Sequence, residues 1–247
     1  MVTDDSAEAS SIATEAGQLL LELRHRRLPR GELEAEADAC SQRFIAQALA
    51  SRHGADAVLS EEAADDRARL GCSRVWIVDP LDGTREYGEV PRTDWAVHVA
   101  LVVDGELAAG AVALPAQGLT LSTAEPPPAL AGTGSRLRVL VSRTRPANEA
   151  AALADALEAE LVPMGSAGAK VAAVVLGDAE VYAHTGGQWE WDSAAPVAVA
   201  RAAGLHTSRF DGSPLRYNQS SPWLPDLLVC RADLADTVLG VIQELVR

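Results

Sequence analysis

The spacing of apolar residues divides the chain into alternating helical and extended stretches. Over residues 10–28, Ile12, Ala16, Leu19, Leu20 and Leu23 recur on one helical face, with Arg24, Arg26 and Arg27 towards the C-terminal end, which predicts a packing helix. Residues 34–50 predict a second. Val58-Leu59-Ser60 reads as a short strand entering an acidic turn at Glu61-Glu62, and Asp65, Asp66, Arg67 and Arg69 read as a mobile, solvated loop. Trp76-Ile77-Val78 predicts a buried strand that Asp79-Pro80 ends, because proline cannot continue a sheet ladder. Apolar runs over 95–103 and 106–114 flank Asp104-Gly105, a hairpin signal, and residues 117–123 add an edge strand. Pro126-Pro127-Pro128 with Gly132 and Gly134 marks a boundary.

Beyond it the pattern predicts a strand over 137–142, a helix over 148–160, a glycine-rich entry at Gly165-Ser166-Ala167-Gly168 into a helix near Lys170, and a strand over 180–183. An apolar helix runs from Asp192 to 203, followed by strands near Leu205 and Leu227 and a helix over 234–246. The class is α/β: an antiparallel-sheet lobe over 1–128 and an α/β lobe over 129–247.

Composition narrows the function. The chain has 247 residues, 48% of them apolar, ample for a core. A formal charge of −14 weighs against nucleic acid as a partner, since binding its backbone needs concentrated Lys and Arg. An acidic protein that handles phosphates needs metal ions instead. The first residues are acidic where a signal peptide is basic, and no apolar run approaches the roughly twenty residues of a membrane span, so a cytoplasmic protein without membrane partners is expected. Cys40, Cys72 and Cys230 lack metal-ligand or disulfide spacing and read as reduced, mostly buried thiols.

The chemistry centres on Asp79-Pro80-Leu81-Asp82-Gly83-Thr84. A Pro-Leu pair between two carboxylates forces a turn, so both can converge on one point, where they repel unless a cation lies between them. A hard divalent ion such as magnesium prefers such oxygens, while Gly83 allows close approach and Thr84 adds a hydroxyl. Haloacid dehalogenase-type phosphatases use Asp-x-Asp-Gly-Thr, but a spacing of three with an intervening proline matches a metal-bridging turn better. Each part has a plainer reading by itself: Asp82-Gly83 an ordinary turn, Glu61-Glu62 surface charge, Asp38 a solvated helix residue, Asp192 a helix cap.

Together, Glu61-Glu62, Asp79 to Thr84 and Trp191-Asp192-Ser193-Ala194-Ala195-Pro196, in that order, resemble the signature set of the inositol monophosphatase superfamily over nearly the whole chain. Ala37-Asp38 is similar to the family's Thr-x-Ala-Asp helix entry, without its threonine. The resemblance implies an α+β sugar-phosphatase fold, a layered αβαβα sandwich, and a homodimer. It implies two or three magnesium ions, replaceable by manganese, held by Glu61, Asp79, the Leu81 carbonyl, Asp82 and Asp192. Glu61 would orient the attacking water, and Thr84, supported by Asp38, would position or deprotonate it.

Thr84-Arg85-Glu86-Tyr87 resembles the Thr-Lys-Glu-Phe of 3′(2′),5′-bisphosphate nucleotidases more than the Thr-Thr-Asn-Phe of inositol monophosphatases. Ser142 to Arg145 and Gly165 to Lys170 likewise resemble nucleotidase segments, whereas Glu89 and Leu205 depart from the family's usual residues. The implied substrate contacts are Asp82, Gly83, Thr84, Ser142, Arg145, Gly165, Ser166, Lys170 and Asp192. The implied reaction is lithium-sensitive removal of the 3′-phosphate of adenosine 3′,5′-bisphosphate (PAP), linked to sulfate assimilation. Alternatives are an inositol 1-phosphate or fructose 1,6-bisphosphate phosphatase on the same scaffold, or a phosphometabolite sensor without catalysis.

Overall fold

A computed structural model describes residues 4–26, 28–128 and 136–245, so Arg27, the predicted boundary glycines Gly132 and Gly134, and Val246 lie outside the described residues. Helix α1 (Asp5–Arg24) starts earlier than its apolar spacing predicts, because the Asp4 carboxylate accepts hydrogen bonds from the Ser6 and Ala7 N–H groups and caps it. Helix α2 (Arg30–Arg52) packs beside it. The chain then forms β1 (Ala57–Ser60), β2 (Arg74–Asp82), a short α3 (Thr84–Gly88), β3 (Ala96–Val103), β4 (Glu106–Leu114) and β5 (Leu119–Ser122). These five strands make one sheet in sequence order, β1 parallel to β2 and the others antiparallel.

The second sheet is mixed. It is built from β6 (Arg138–Ser142), α4 (Asn148–Ala156), β7 (Glu160–Met164), α5 (Ala167–Val175), β8 (Val181–Trp189), α6 (Glu190–Ala202), β9 (His206–Ser208), β10 (Trp223–Cys230) and α7 (Ala235–Leu245). Strand order is β7-β6-β8-β10-β9, parallel through the first three and antiparallel beyond.

Helices α1 and α2 cover one face of the first sheet, α5 and α6 fill the space between the sheets, and α4 and α7 cover the far side of the second. The result is the α-β-α-β-α layering. Close packing of the middle layer depends on small residues: a Cβ at Gly110 of β4 would lie 2.6 Å from the Ala198 Cβ of α6. Among the described residues no helix is long and apolar enough to cross a membrane. Of the thiols only Cys230 is buried; Cys40 is half-buried and Cys72 exposed, contrary to the expectation of mostly buried cysteines.

The predicted helix over 148–160 stops at Ala156, because Glu158 takes a φ of 50° and turns the chain into β7, an edge strand with little apolar burial to announce it. Strand β8 runs well past 183. Gly186 and Gly187, with φ of 96° and 90°, carry it through an irregularity opposite Leu224–Asp226 instead of ending it.

Arg69 departs furthest from expectation, being 1% exposed where a solvated loop was predicted. Its guanidinium forks onto the Asp65 carboxylate at 2.7 and 3.0 Å and reaches Asn218 Oδ1 at 2.6 Å and the Gln219 carbonyl at 3.0 Å. Glu190 in turn accepts the Asn218 and Gln219 N–H groups at 2.6 and 2.8 Å. The loop after β1 is thereby tied to the first turn of α6. Arg69→Ala is expected to cost about 3 kcal/mol in urea unfolding, and Arg69→Lys to recover little of it, since an ammonium cannot reproduce the fork.

Candidate active site

Strand β1 ends at Ser60, paired with Val78, so β2 has no partner on that side at Pro80 and the missing N–H costs nothing there. The strand therefore continues through Pro80 to Asp82 instead of ending at Asp79. Its register against β3 slips between Asp79 and Asp82, and the Leu81 N–H folds back onto Asp79 Oδ1 at 3.0 Å. With that slip the two carboxylates converge. Their oxygens and one of Asp192, from the first turn of α6, all lie within 4.8 Å of one another.

The surrounding elements fix this group. Ser41 of α2 donates to the Pro80 carbonyl at 2.7 Å, and Asp192 accepts the Trp189 N–H at 2.6 Å. Gly83 has a φ of 85°, which turns the chain sharply into α3, and Thr84 follows with its hydroxyl 3.3 Å from Asp38 Oδ1 and 3.1 Å from the Leu81 carbonyl. Glu61 leaves β1 at the rim of the cleft, its N–H on the Val78 carbonyl at 3.4 Å.

The electrostatics of the group are one-sided. Asp79 is held well above the usual carboxylate range by burial first and then by the charges of Glu61, Asp82 and Asp192. Asp192 is pushed to about 7 by burial and Asp82. Glu61 also reaches about 7, through lost solvent and the charges of Asp82, Glu62 and Asp38, with a hydrogen bond to Asp79 opposing. Asp38 rises to about 7 by burial and the charge of Glu62, against the Thr84 hydrogen bond. Asp82 behaves oppositely. Burial works to raise it, but His98 Nε2 at 3.3 Å, the Ser166 hydroxyl at 2.6 Å and the Gly168 N–H at 2.7 Å hold it below the ordinary value.

His98 borders the acidic group, and sequence reading passes over it. It faces Asp79 across the β2–β3 pair, is fully buried, and places Nδ1 3.1 Å from the Trp191 carbonyl, while Asp82 keeps the ring's pKa raised against the effect of burial. A Cβ at Gly168 would fall 2.0 Å from His98 Nε2, so glycine is required there. An all-oxygen donor set in which burial and then mutual repulsion raise Asp79 and Asp192 fits a hard metal cation, which would supply the missing opposite charge.

A cleft of about 390 Å³ opens beside the acidic group. Glu61, Asp82 and Asp192 line one part, and Ser142, Arg145, Gly165, Ser166 and Lys170 another. Gly83 and Thr84 line an adjoining hollow with Arg145. Asp38, Asp79 and Leu81 are not among the cleft's lining residues. Ser142 accepts the Arg145 N–H at 3.2 Å, and Ser166 caps α5 through the Ala169 N–H at 3.0 Å. Arg143 is occupied by Glu86 and Glu89 at 2.6 and 2.9 Å, whereas Arg145 is exposed and its side chain has no ion pair among the described residues. Lys170 is 4% exposed, and its ammonium donates to the Gly165 and Ser166 carbonyls at 3.0 and 2.7 Å and lies 3.5 Å from that of Met164. Its charge lies under the cleft floor, not free at the surface.

Residues 3–244 match the model of the inositol monophosphatase family, and the chain belongs to that family. It is 51% identical to the 3′-phosphoadenosine 5′-phosphate phosphatase of Mycobacterium leprae over 97% of this chain and 94% of that protein. The protein of the same name from Mycobacterium tuberculosis is 48% identical over 93% and 90%. The crystal structure of CysQ from Bacteroides thetaiotaomicron, a bacterial member of the inositol monophosphatase family, matches with a TM-score of 0.81 at 26% identity, covering 94% of this chain and 98% of that one. The layered sugar-phosphatase fold implied by the motifs is the observed fold.

Because the acidic group is crowded without a cation, Asp79→Asn is expected to raise the melting temperature of metal-free protein at pH 8 by about 2–4 °C. Added MgCl2 should raise it in the wild type and much less in the variant, both read by calorimetry.

Proposed function

We propose that this protein is a magnesium-dependent phosphomonoesterase that hydrolyses PAP to AMP and phosphate. The observation that carries the reading is the convergence of Asp79, Asp82 and Asp192 beside a cleft that also holds exposed Arg145, in a chain about half identical to proteins named for this activity. Glu61, Asp79, the Leu81 carbonyl, Asp82 and Asp192 would hold two or three magnesium ions, or manganese in their place. Bound there, the ions supply the positive charge the group lacks, drawing phosphate oxygens in and acidifying water.

The chain's own residues do the rest. His98, Ser166 and Gly168 keep Asp82 ionised and oriented. The Thr84 hydroxyl, held between Asp38 and the Leu81 carbonyl, positions the attacking water and passes its proton towards Asp38. The Ser142 hydroxyl and the backbone at Ala167, which opens α5, receive phosphate oxygens, Gly165 and Ser166 shape the turn around them with their own N–H and hydroxyl held by Asp94 and Asp82, and Arg145 takes the second phosphate. Lys170 acts from beneath, bracing the Gly165-Ser166 turn and adding a positive field, in place of the direct contact that the resemblance implies. The same reading carries lithium inhibition, a place in sulfate assimilation in the cytoplasm, a homodimer, and lobes at 1–128 and 129–247.

Phosphate release from PAP, inositol 1-phosphate and fructose 1,6-bisphosphate tests it. The expected result is magnesium-dependent, lithium-sensitive release that is fastest from PAP; release confined to the other two overturns it.

A pH dependence follows from Lys170. Burial lowers its pKa to about 8, although Asp82, Glu86, Asp94 and Asp192 all pull it upward. The cation is therefore present below pH 8 and is lost above it. The dissociation constant of AMP should rise as pH passes 8 in the wild type, and this step should be missing in Lys170→Met, whose binding is already weak at pH 7.

A further inference from the structure

The part of the cleft away from the carboxylates is aromatic. Trp189 and Trp223 line it and are 41% and 45% exposed, a conspicuous placement in a chain with only 4% aromatic residues. They are cross-strand partners on β8 and β10. The Trp189 ring stacks on Trp191 at 5.2 Å with 13° between planes and lies at 77° to the Trp223 ring with centroids 5.0 Å apart, so the three rings are ordered before any ligand arrives.

The backbone beneath is shaped to seat these rings. A Cβ at Gly187 would lie 1.7 Å from the Trp223 indole, and the His184 ring, 3.0 Å from the Gly187 carbonyl through Nε2, pins that turn. The next residue of the strand carries a polar group without a partner among the described residues. Gln188 is 6% exposed, lines the cleft, and its buried Nε2 has no hydrogen-bond partner among the described residues. A carboxamide offers one donor and one acceptor, the pair that an adenine edge matches with a ring nitrogen and its exocyclic amine.

We propose that Trp189 and Trp223, set nearly at right angles, form an aromatic platform on which the substrate's nucleobase stacks against one ring and meets the other edge-on, with Gln188 reading its edge, and that this platform sets nucleotide selectivity. The assignment rests on the proposed nucleotidase activity. Platform and chemistry share one rigid piece, because the Trp189 N–H is bound to Asp192 at 2.6 Å and α6 begins at the next residue. A base stacked there would hold its sugar phosphate at a fixed reach from the carboxylates.

The test compares PAP with glycerol 2-phosphate, a monoester without a base, in the wild type and in Trp189→Ala, Trp223→Ala, Trp189→Phe and Gln188→Leu. The ratio of kcat/KM for PAP to that for glycerol 2-phosphate is expected to fall about 10–100-fold in the alanine variants, mainly through KM, and to be largely retained in Trp189→Phe. Gln188→Leu should narrow the preference for adenosine over inosine 3′,5′-bisphosphate. AMP should quench wild-type tryptophan fluorescence, with the quench reduced in Trp223→Ala, a readout independent of turnover and of metal. No release from PAP by the wild type overturns the nucleotidase reading itself. Release with an unchanged ratio, in alanine variants whose melting temperatures show them folded, overturns the platform alone.

Discussion

Carboxyls this close together cannot all be ionised in a buried setting unless positive charge is brought to them. Much of the molecule is arranged to keep Asp79, Asp82 and Asp192 together despite that repulsion. The slip in β2 turns two of them to one point, and the first turn of α6 delivers the third. Buried His98 and the N-terminal turn of α5 stabilise the charge on Asp82 enough to outweigh burial, whereas on Asp192 the pull of His98 does not. The asymmetry has a use. One carboxylate is kept ionised by protein groups alone, while its neighbours are biased towards holding protons that a cation would displace.

The middle layer explains why the site needs the whole chain. Its two helices, α5 and α6, touch both sheets, so the Ser166 turn and Asp192 are placed against β2 by packing that extends to the far side of the molecule. Gly110 allows the approach of β4 to α6, and Gly168 that of α5 to His98. Arg69 closes the frame from the other side by joining the loop that follows Glu61 and Glu62 to the residues that hold Glu190.

The parts legible in the sequence were those whose meaning is local. The Asp79 to Thr84 turn, the hairpin at Asp104-Gly105 and the acidic start of α6 each compress a structural instruction into a few adjacent residues. The parts that were not legible depend on partners far along the chain. A single histidine in an apolar strand reads as core until the register sets it opposite Asp79, and Arg69 reads as solvated until Asn218, 149 positions away, comes to meet it. Strand β7 lacked a buried face, and Glu158 stopped a helix in a backbone conformation that favours glycine. The identity of Lys170 was visible, but its engagement by its own turn's carbonyls was not.

An acidic protein that binds a multiply charged anion has to solve two problems with little positive charge, and this chain separates them. The reacting phosphate is left to whatever cation the carboxylates hold, while the fixed charges near the cleft are few: Arg145 is exposed, Arg143 is neutralised by Glu86 and Glu89, and Lys170 is sealed under the floor. A site built this way discriminates poorly among phosphate esters by charge alone. Selectivity then has to come from uncharged surface, and the cleft's uncharged lining includes Gln188 and Trp189, on the strand end that leads directly into the Asp192 helix, and Trp223 beside them. Recognition and chemistry thus meet at one strand-to-helix junction, where a shift of either would be felt by the other.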